Sequence, residues 1–233
     1  MPNQTTGTTR VWLVGDSLTS QKRREKRPET GWGMPFTDMF GSEVTIENRA
    51  VNGHSTQRFI DEGRWDEVVS ELTDGDWVLL QFGHNDESQK RYTYTTPEQF
   101  AANLHRFVAE IRGCDAHPVL LTPVTRRRFD AEGTVPLTHP YSPVVCDVAE
   151  ASATPILDID TASRGLLESL GPDLSTLAYL HLQAGEHPNY PAGVSDDTHL
   201  NELGARLVAQ SVLTALCAAG VPWATAAMSR PEQ

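Results

Sequence analysis

The sequence contains few cysteines and no long apolar run. Its three cysteines, Cys114, Cys146 and Cys217, are widely separated and odd in number, which argues against a disulfide framework or a zinc finger and fits a reducing compartment. No apolar stretch approaches the ~20 residues that a membrane-spanning helix needs. Residues 1–7 have neither the basic start nor the apolar centre of a signal peptide. The sequence therefore predicts a cytoplasmic protein without a membrane anchor, or a secreted one if a leader preceded it.

Signatures of several common enzyme classes are also missing. No G-x-S-x-G segment is present, which disfavours the α/β-hydrolase fold. There is no phosphate loop, no dinucleotide fingerprint and no H-E-x-x-H helix, so no cofactor is expected. A metal-dependent hydrolase that uses His181, His187, Asp196 and His199 is an alternative. It is the less favoured one, because histidines in such a segment are more often surface residues.

Apolar segments of strand length alternate with segments of helix length. The strands are predicted at residues 10–14, 44–47, 77–82, 118–121 and 156–158. The main helices are predicted at residues 97–111, 141–153, 162–170 and 201–219. This alternation indicates one α/β domain over residues 1–233, with a parallel sheet covered by helices on both faces. The ends, residues 1–8 and 226–233, are expected to be frayed.

The formal net charge of −12 argues against general nucleic-acid binding. Basic side chains are nevertheless concentrated in three loops that follow predicted strands. They are either solvated loop residues or an electropositive rim for an anionic substrate. We call them the basic segments, and their members are Lys22, Arg23, Arg24, Lys26, Arg27, Lys90, Arg91, Arg126, Arg127 and Arg128.

Four short segments together supply the residue types of a serine-esterase site. They are residues 15–18 (GDSL), 48–53 (NRAVNG), 83–86 (GHND) and 196–199 (DDTH). Acyl transfer needs a nucleophile, a base, an orienting carboxylate and donors for the oxyanion. In open parallel sheets, sites form at the carboxyl ends of strands. The first three segments follow predicted strands, so we expect all four to converge on one edge of the sheet.

Each role has a candidate residue. Ser17 is the nucleophile, although a serine at such a turn often only caps a helix. His199 is the general base, and Asp196 orients its imidazole, in what the sequence predicts to be a loop that opens the last helix. Gly53 and Asn85 complete an oxyanion hole with the Ser17 backbone N–H, because glycine permits close backbone approach and asparagine supplies an amide donor.

These motifs, together with residues 31–33 (GWG), 81–82 (QF) and 122–127 (TPVTRR), resemble the SGNH (GDSL) hydrolase superfamily. Within it, the sequence is most similar to the rhamnogalacturonan acetylesterase-like carbohydrate esterases. The resemblance extends over about residues 10–219. It implies a flavodoxin-like three-layer α/β sandwich with about five parallel strands, the SGNH hydrolase fold. It also implies metal-independent removal of acetyl groups from pectin-type carbohydrate.

Five further side chains are candidate substrate contacts. Trp32 could form a wall on which a sugar stacks, or could pack in the core. His54 and His84 lie inside the motif segments without a catalytic step assigned to them. Arg126 and Arg127 are candidate contacts for an anionic oligosaccharide.

Two other functions stay open at this point. One is a lipase or thioesterase of the same superfamily, against which the polar, arginine-rich segments count modestly. The other is a non-catalytic carbohydrate-binding protein, which would have no need of Ser17, Asp196 and His199 together. The sequence does not determine the oligomeric state.

Overall fold

The five predicted strands form one parallel sheet in the computed structural model, which describes residues 8–228. Its order is β2-β1-β3-β4-β5, the order of flavodoxin-like folds. The fold class predicted from the sequence is therefore confirmed. The strands are β1 (Thr9–Gly15), β2 (Val44–Asn48), β3 (Trp77–Gln81), β4 (His117–Leu121) and β5 (Ile156–Leu157).

The register of the sheet brings the ends of its central strands together. Leu13 of β1 pairs with Asn48, the last residue of β2. Gly15, at the end of β1, pairs with Gln81, the last residue of β3. The loops that follow these three strands therefore start within about two residues of one another at the same edge.

Eight α-helices lie in the described part of the chain, and they cover both faces of the sheet. Side chains of β1 alternate between two buried clusters, with Val11 and Leu13 in one and Trp12 and Val14 in the other. Such alternation is expected for a strand that is buried on both faces. The helices are α1 (Gly33–Thr37), α2 (Thr56–Asp61), α3 (Arg64–Glu71), α4 (Pro97–Gly113), α5 (Ser142–Ala151), α6 (Ile159–Leu174), α7 (Glu202–Ala218) and α8 (Pro222–Met228).

Helix α4 shows how the sequence specifies an element of this kind. Thr96 is its N-cap, and its hydroxyl accepts a hydrogen bond from the Gln99 backbone N–H at 3.3 Å. Pro97 occupies the first turn, where its missing N–H has no helical partner to lose. The apolar residues at helical spacing, from Phe100 to Ile111, are buried against the sheet.

The prediction that Asp196 and His199 lie in a loop is wrong. Both belong to β7 (Val194–Leu200), which pairs with β6 (Tyr179–Leu182) in a separate antiparallel sheet. The sequence of β7 did not indicate a strand because aspartate is depleted in strands. Helix α7 starts directly after β7, with the Asn201 side chain accepting from the Gly204 N–H.

The expectation of frayed ends is tested only in part. Helix α8 continues to Met228, so residues 226–228 are helical where fraying was predicted. Residues 1–7 and 229–233 lie outside the described residues. Across residues 8–228, no helix is both long enough and apolar enough to cross a membrane.

Gly31 sits where a side chain has no room. A Cβ at this position would collide with the backbone of Thr19 and Ser20, so the tight contact between two loops at the carboxyl edge requires glycine. Gly165, in contrast, lies inside α6 with open space around its missing Cβ.

We therefore predict opposite effects for two alanine substitutions. Gly31→Ala should lower the free energy of unfolding by roughly 1–3 kcal/mol, because backbone cannot move aside as a flexible side chain would. Gly165→Ala should leave it unchanged or raise it by up to about 1 kcal/mol, because alanine is the better helix former. Urea denaturation measures both. Equal effects of the two substitutions would contradict the described packing.

Candidate active site

Ser17 lies in a tight turn directly after β1. The side chain of the preceding Asp16 accepts the Leu18 N–H at 3.0 Å. The Asp16 carbonyl accepts from the N–H groups of Thr19 and Ser20 at 3.2 and 3.0 Å. These bonds fix the turn, and Ser17, which is 8% exposed, is held at the carboxyl edge of the sheet.

The structure brings Ser17, His199 and Asp196 into one hydrogen-bonded line. Ser17 Oγ lies 3.1 Å from His199 Nε2. On the other side of the ring, His199 Nδ1 lies 2.7 Å from Asp196 Oδ2. The second oxygen, Asp196 Oδ1, accepts from the backbone N–H groups of Thr198 and His199 at 2.8 and 3.0 Å. A hydroxyl, an imidazole and a carboxylate joined in this order have the geometry of an activated serine.

Asp196 is held in its ionised form. Burial by itself would raise the pKa of this carboxyl, but the hydrogen bonds from the His199 ring and backbone outweigh burial and hold it well below its usual range. The carboxylate is therefore negatively charged at neutral pH. It can fix the imidazole tautomer and stabilise a protonated ring.

Gly53 and Asn85 lie on neighbouring segments. The Asn85 side-chain amide donates to the carbonyl of His54 at 3.1 Å, the residue that follows Gly53. Gly53 has a φ of +72°, a region that glycine adopts without strain. The amide nitrogen of Asn85 carries two N–H groups. Within residues 8–228, it donates one hydrogen bond, to the His54 carbonyl.

Trp32 is a core residue, which corrects its interpretation as a sugar-stacking wall. Its side chain is fully buried, and its indole N–H donates to Gln81 Oε1 at 2.7 Å. The same oxygen accepts from Thr19 Oγ1 at 2.9 Å, and Gln81 Nε2 donates to the Thr122 carbonyl at 3.3 Å. Gln81 thus connects the turn after β1 to the ends of β3 and β4, a role that sequence reasoning did not assign to it.

The two histidines of the motif segments are also buried, so neither forms a substrate surface in this structure. His54 is 3% exposed, and its Nε2 lies 2.9 Å from Glu62 Oε2. His84 is 6% exposed and donates from Nε2 to the Val124 carbonyl at 2.9 Å. His139 Nε2 donates to the same carbonyl at 2.8 Å, which ties the loop after β3 to the loop after β4.

The basic segments divide into cations with an ion pair and cations without one. Arg126 pairs with Glu87 at 3.1 Å and donates to Thr198 Oγ1 at 2.6 Å. Arg127 pairs with Asp197 at 2.9 Å. Both arginines therefore brace the strand that carries His199, in addition to any contact with an anion. The members without an ion pair in the described part of the chain are Arg23, Arg24, Lys26, Arg27, Lys90, Arg91 and Arg128.

The residues considered for a metal-dependent mechanism have other partners. His181 Nε2 lies 2.8 Å from Asp197 Oδ1, and His187 Nδ1 accepts the Asn189 N–H at 3.1 Å. Between residues 8 and 228, no three side chains of His, Cys, Asp or Glu are grouped so that they could hold a metal ion.

Known proteins match nearly the whole chain. A sequence model of the GDSL-like lipase/acylhydrolase family matches residues 13–207. The rhamnogalacturonan acetylesterase RhgT of Bacillus subtilis is 37% identical over 214 residues, which cover 91% of each chain. The probable rhamnogalacturonan acetylesterase YesY of the same organism is 28% identical over 217 residues, covering 91% of this chain and 94% of YesY. The crystal structure of B. subtilis YxiM has a TM-score of 0.79 at 22% identity, covering 93% of this chain and 58% of YxiM.

These matches identify the class of this protein as the carboxylic ester hydrolases. The chain belongs to the GDSL-like lipase/acylhydrolase family. The resemblance that the four motifs indicated is confirmed, including its branch, since RhgT is similar along almost the entire sequence.

Asp86, next to Asn85, is a buried carboxyl that sequence reasoning did not single out. It is fully buried and accepts from the Thr56 backbone N–H at 2.9 Å and from the Thr56 hydroxyl at 2.6 Å. Burial raises the pKa of Asp86 to about 7. A folded-state pKa above the unfolded value means that folding takes up a proton, so stability is lost as the pH rises from about 4 to about 7.

We therefore predict that Asp86→Asn removes one part of the pH dependence of stability. The free energy of unfolding of the variant, minus that of the unsubstituted protein, should rise by on the order of 1–4 kcal/mol as the pH increases from 4 to 8. Urea unfolding at several pH values measures this difference. Asp38→Asn, at an exposed position, is the matched control and should show no such trend. Parallel pH curves for Asp86→Asn and the unsubstituted protein would contradict the prediction.

Proposed function

We propose that this protein hydrolyses acetyl esters on carbohydrate, and that its substrates are acetylated oligosaccharides of the rhamnogalacturonan type. The observation that carries the proposal is the hydrogen-bonded line from Ser17 through His199 to Asp196. The substrate class is supported by the similarity to RhgT over 91% of both chains.

Acylation begins at Ser17. As Oγ attacks the acetyl carbonyl carbon, His199 Nε2, 3.1 Å away, takes the hydroxyl proton. The bond between Oγ and the acetyl carbon forms, the bond from that carbon to the sugar oxygen breaks, and His199 returns the proton to the departing sugar oxygen. Asp196 stabilises the transient imidazolium through its bond to Nδ1.

The charge that develops on the acetyl oxygen needs donors. The backbone N–H groups of Ser17 and Gly53 and the side-chain amide of Asn85 fill this role. The bond from Asn85 to the His54 carbonyl supports it by holding the amide next to the Gly53 segment. Removing one such donor typically lowers the rate by ~10²–10³.

Deacylation uses the same groups with water as the nucleophile. His199 Nε2 takes a proton from the water as its oxygen attacks the acetyl carbon. The bond from that carbon to Ser17 Oγ then breaks, and the proton passes to Oγ, which restores the serine and releases acetate.

The surroundings of the serine favour a polar alcohol over a long acyl chain. The side chains of His199 and Asp196 are 31% and 28% exposed, so the base is open to a bulky leaving group. Thr198 of β7 adds a polar group, as do Arg126 and Asn52 in the adjoining loops. Sugars present hydroxyl groups that such side chains can bind.

Acetate release from acetylated rhamnogalacturonan oligosaccharides tests the proposal, with acetylated xylan and a long-chain ester beside it. Ser17→Ala should lower turnover by ~10⁴–10⁶, and rhamnogalacturonan should be the preferred substrate. Equal release from xylan would overturn the substrate assignment. Preference for the long-chain ester would instead support a lipase or thioesterase, and binding of oligosaccharide without acetate release would support a binding protein.

The exposed cations provide a second test, since galacturonate is anionic. Arg23, Arg24 and Arg128 are exposed, and neutralising all three with glutamine should raise KM for acidic oligosaccharides about three- to tenfold at low salt. The difference should shrink at 0.5 M salt, because exposed charges are then screened. An acetylated neutral oligosaccharide is the control substrate. An unchanged KM at both salt concentrations would refute an anionic preference based on these residues.

A further inference from the structure

Lys22 is a buried cation next to Ser17. Its side chain is 1% exposed. The ammonium donates to the Ser17 carbonyl at 2.6 Å and to Asn52 Oδ1 at 2.8 Å, and it pairs with Glu29 Oε1 at 2.7 Å. An ammonium has three N–H donors, so these three acceptors satisfy it completely. Lys22 is therefore not one of the exposed cations of the basic segments, although its position in the sequence grouped it with them.

Stability alone does not account for a charge at this position. Taking an ammonium and a carboxylate out of water costs several kcal/mol per ion, and apolar replacements of such pairs are often neutral or stabilising. Burial lowers the pKa of Lys22, while the Glu29 carboxylate opposes that shift. The fold thus retains a charge that it must desolvate, directly behind the proposed nucleophile.

The two acceptors other than Glu29 belong to the two segments whose backbone faces the proposed oxyanion. One is the carbonyl of Ser17 itself. The other is the side chain of Asn52, which precedes Gly53 and which also accepts from the Ser20 hydroxyl. One side chain therefore joins the turn after β1 to the turn after β2.

We propose that Lys22 is a positioning residue for ester hydrolysis. By bonding both turns, it sets the separation between the Ser17 and Gly53 N–H groups, which must lie together on one oxygen atom in the transition state. This inference rests on the function proposed above. A displacement of about 1 Å in such a group lowers rates by roughly 10²-fold. Loss of Lys22 should therefore lower kcat. Lys22 is buried and does not reach the substrate, so KM should change little.

Lys22→Met tests the proposal, because methionine fills much of the same volume without charge or donors. With p-nitrophenyl acetate as substrate, kcat should fall about 10- to 100-fold and KM should change less than threefold. Arg10→Met is the matched control. It breaks a partly buried ion pair, Arg10 with Asp76 at 2.6 Å, at the opposite edge of the sheet. It should leave kcat unchanged even if the melting temperature falls.

A double variant separates positioning from folding. Lys22→Met leaves the Glu29 carboxylate buried without its partner, and this alone could destabilise the protein. Lys22→Met with Glu29→Gln removes that charge, so the melting temperature should recover while kcat stays low. Recovery of kcat in the double variant, or an unchanged kcat in Lys22→Met, would overturn the proposal.

Ser17→Ala measured in the same assay distinguishes the two levels of inference. If Ser17→Ala abolishes hydrolysis and Lys22→Met does not slow it, the role of Lys22 is refuted and the proposed mechanism stands. If Ser17→Ala keeps full activity, the proposed function itself fails.

Discussion

The parallel alignment of β1, β2 and β3 is the constraint on which the site depends. The hydrogen-bonded ladder pairs Leu13 with Asn48 and Gly15 with Gln81. The loops after these three strands therefore leave the sheet at one edge and in one direction. Parallel strands with both faces covered leave only their ends free to carry polar groups. The loops that emerge there hold Ser17, Gly53 and Asn85 in turn. The buried Gln81 amide and the Lys22 ammonium then fix those loops against one another.

Much of the fold could be predicted because the main sheet follows simple rules. Its strands are short apolar runs, and the α4 boundary is set by Thr96 and Pro97. The β6–β7 sheet could not be predicted, since β7 contains two aspartates, a residue type depleted in strands, and therefore looks like a polar loop. Short helices such as α1 were missed for a different reason. Five residues offer too little periodicity to detect.

The candidate site was predictable where the chemistry demands particular residue types, and not where it depends on burial. A serine, a histidine and an aspartate in recognisable segments could be assigned from their order, and the structure brings them together. Whether Trp32 faces a sugar or the core depends on a neighbour 49 positions away in the chain, Gln81. Lys22 looked like its exposed neighbours, because a sequence of consecutive basic residues does not show which one turns inward.

His199 lies in the antiparallel β6–β7 sheet, whereas Ser17 follows a strand of the main sheet, so different parts of the fold position these two side chains. Within residues 8–228, no strand pairing joins β7 to the main sheet. Several hydrogen bonds hold β7 in place. The Thr30 N–H donates to the Leu200 carbonyl, the Arg127 N–H donates to the Asp197 carbonyl, and the Arg126 side chain donates to Thr198 Oγ1. Tyr179 of β6 and Leu200 of β7 also lie in the core cluster that contains Val11 and Leu13. A local opening that releases these contacts before the main sheet unpairs would move the proposed base away from the proposed nucleophile and abolish turnover.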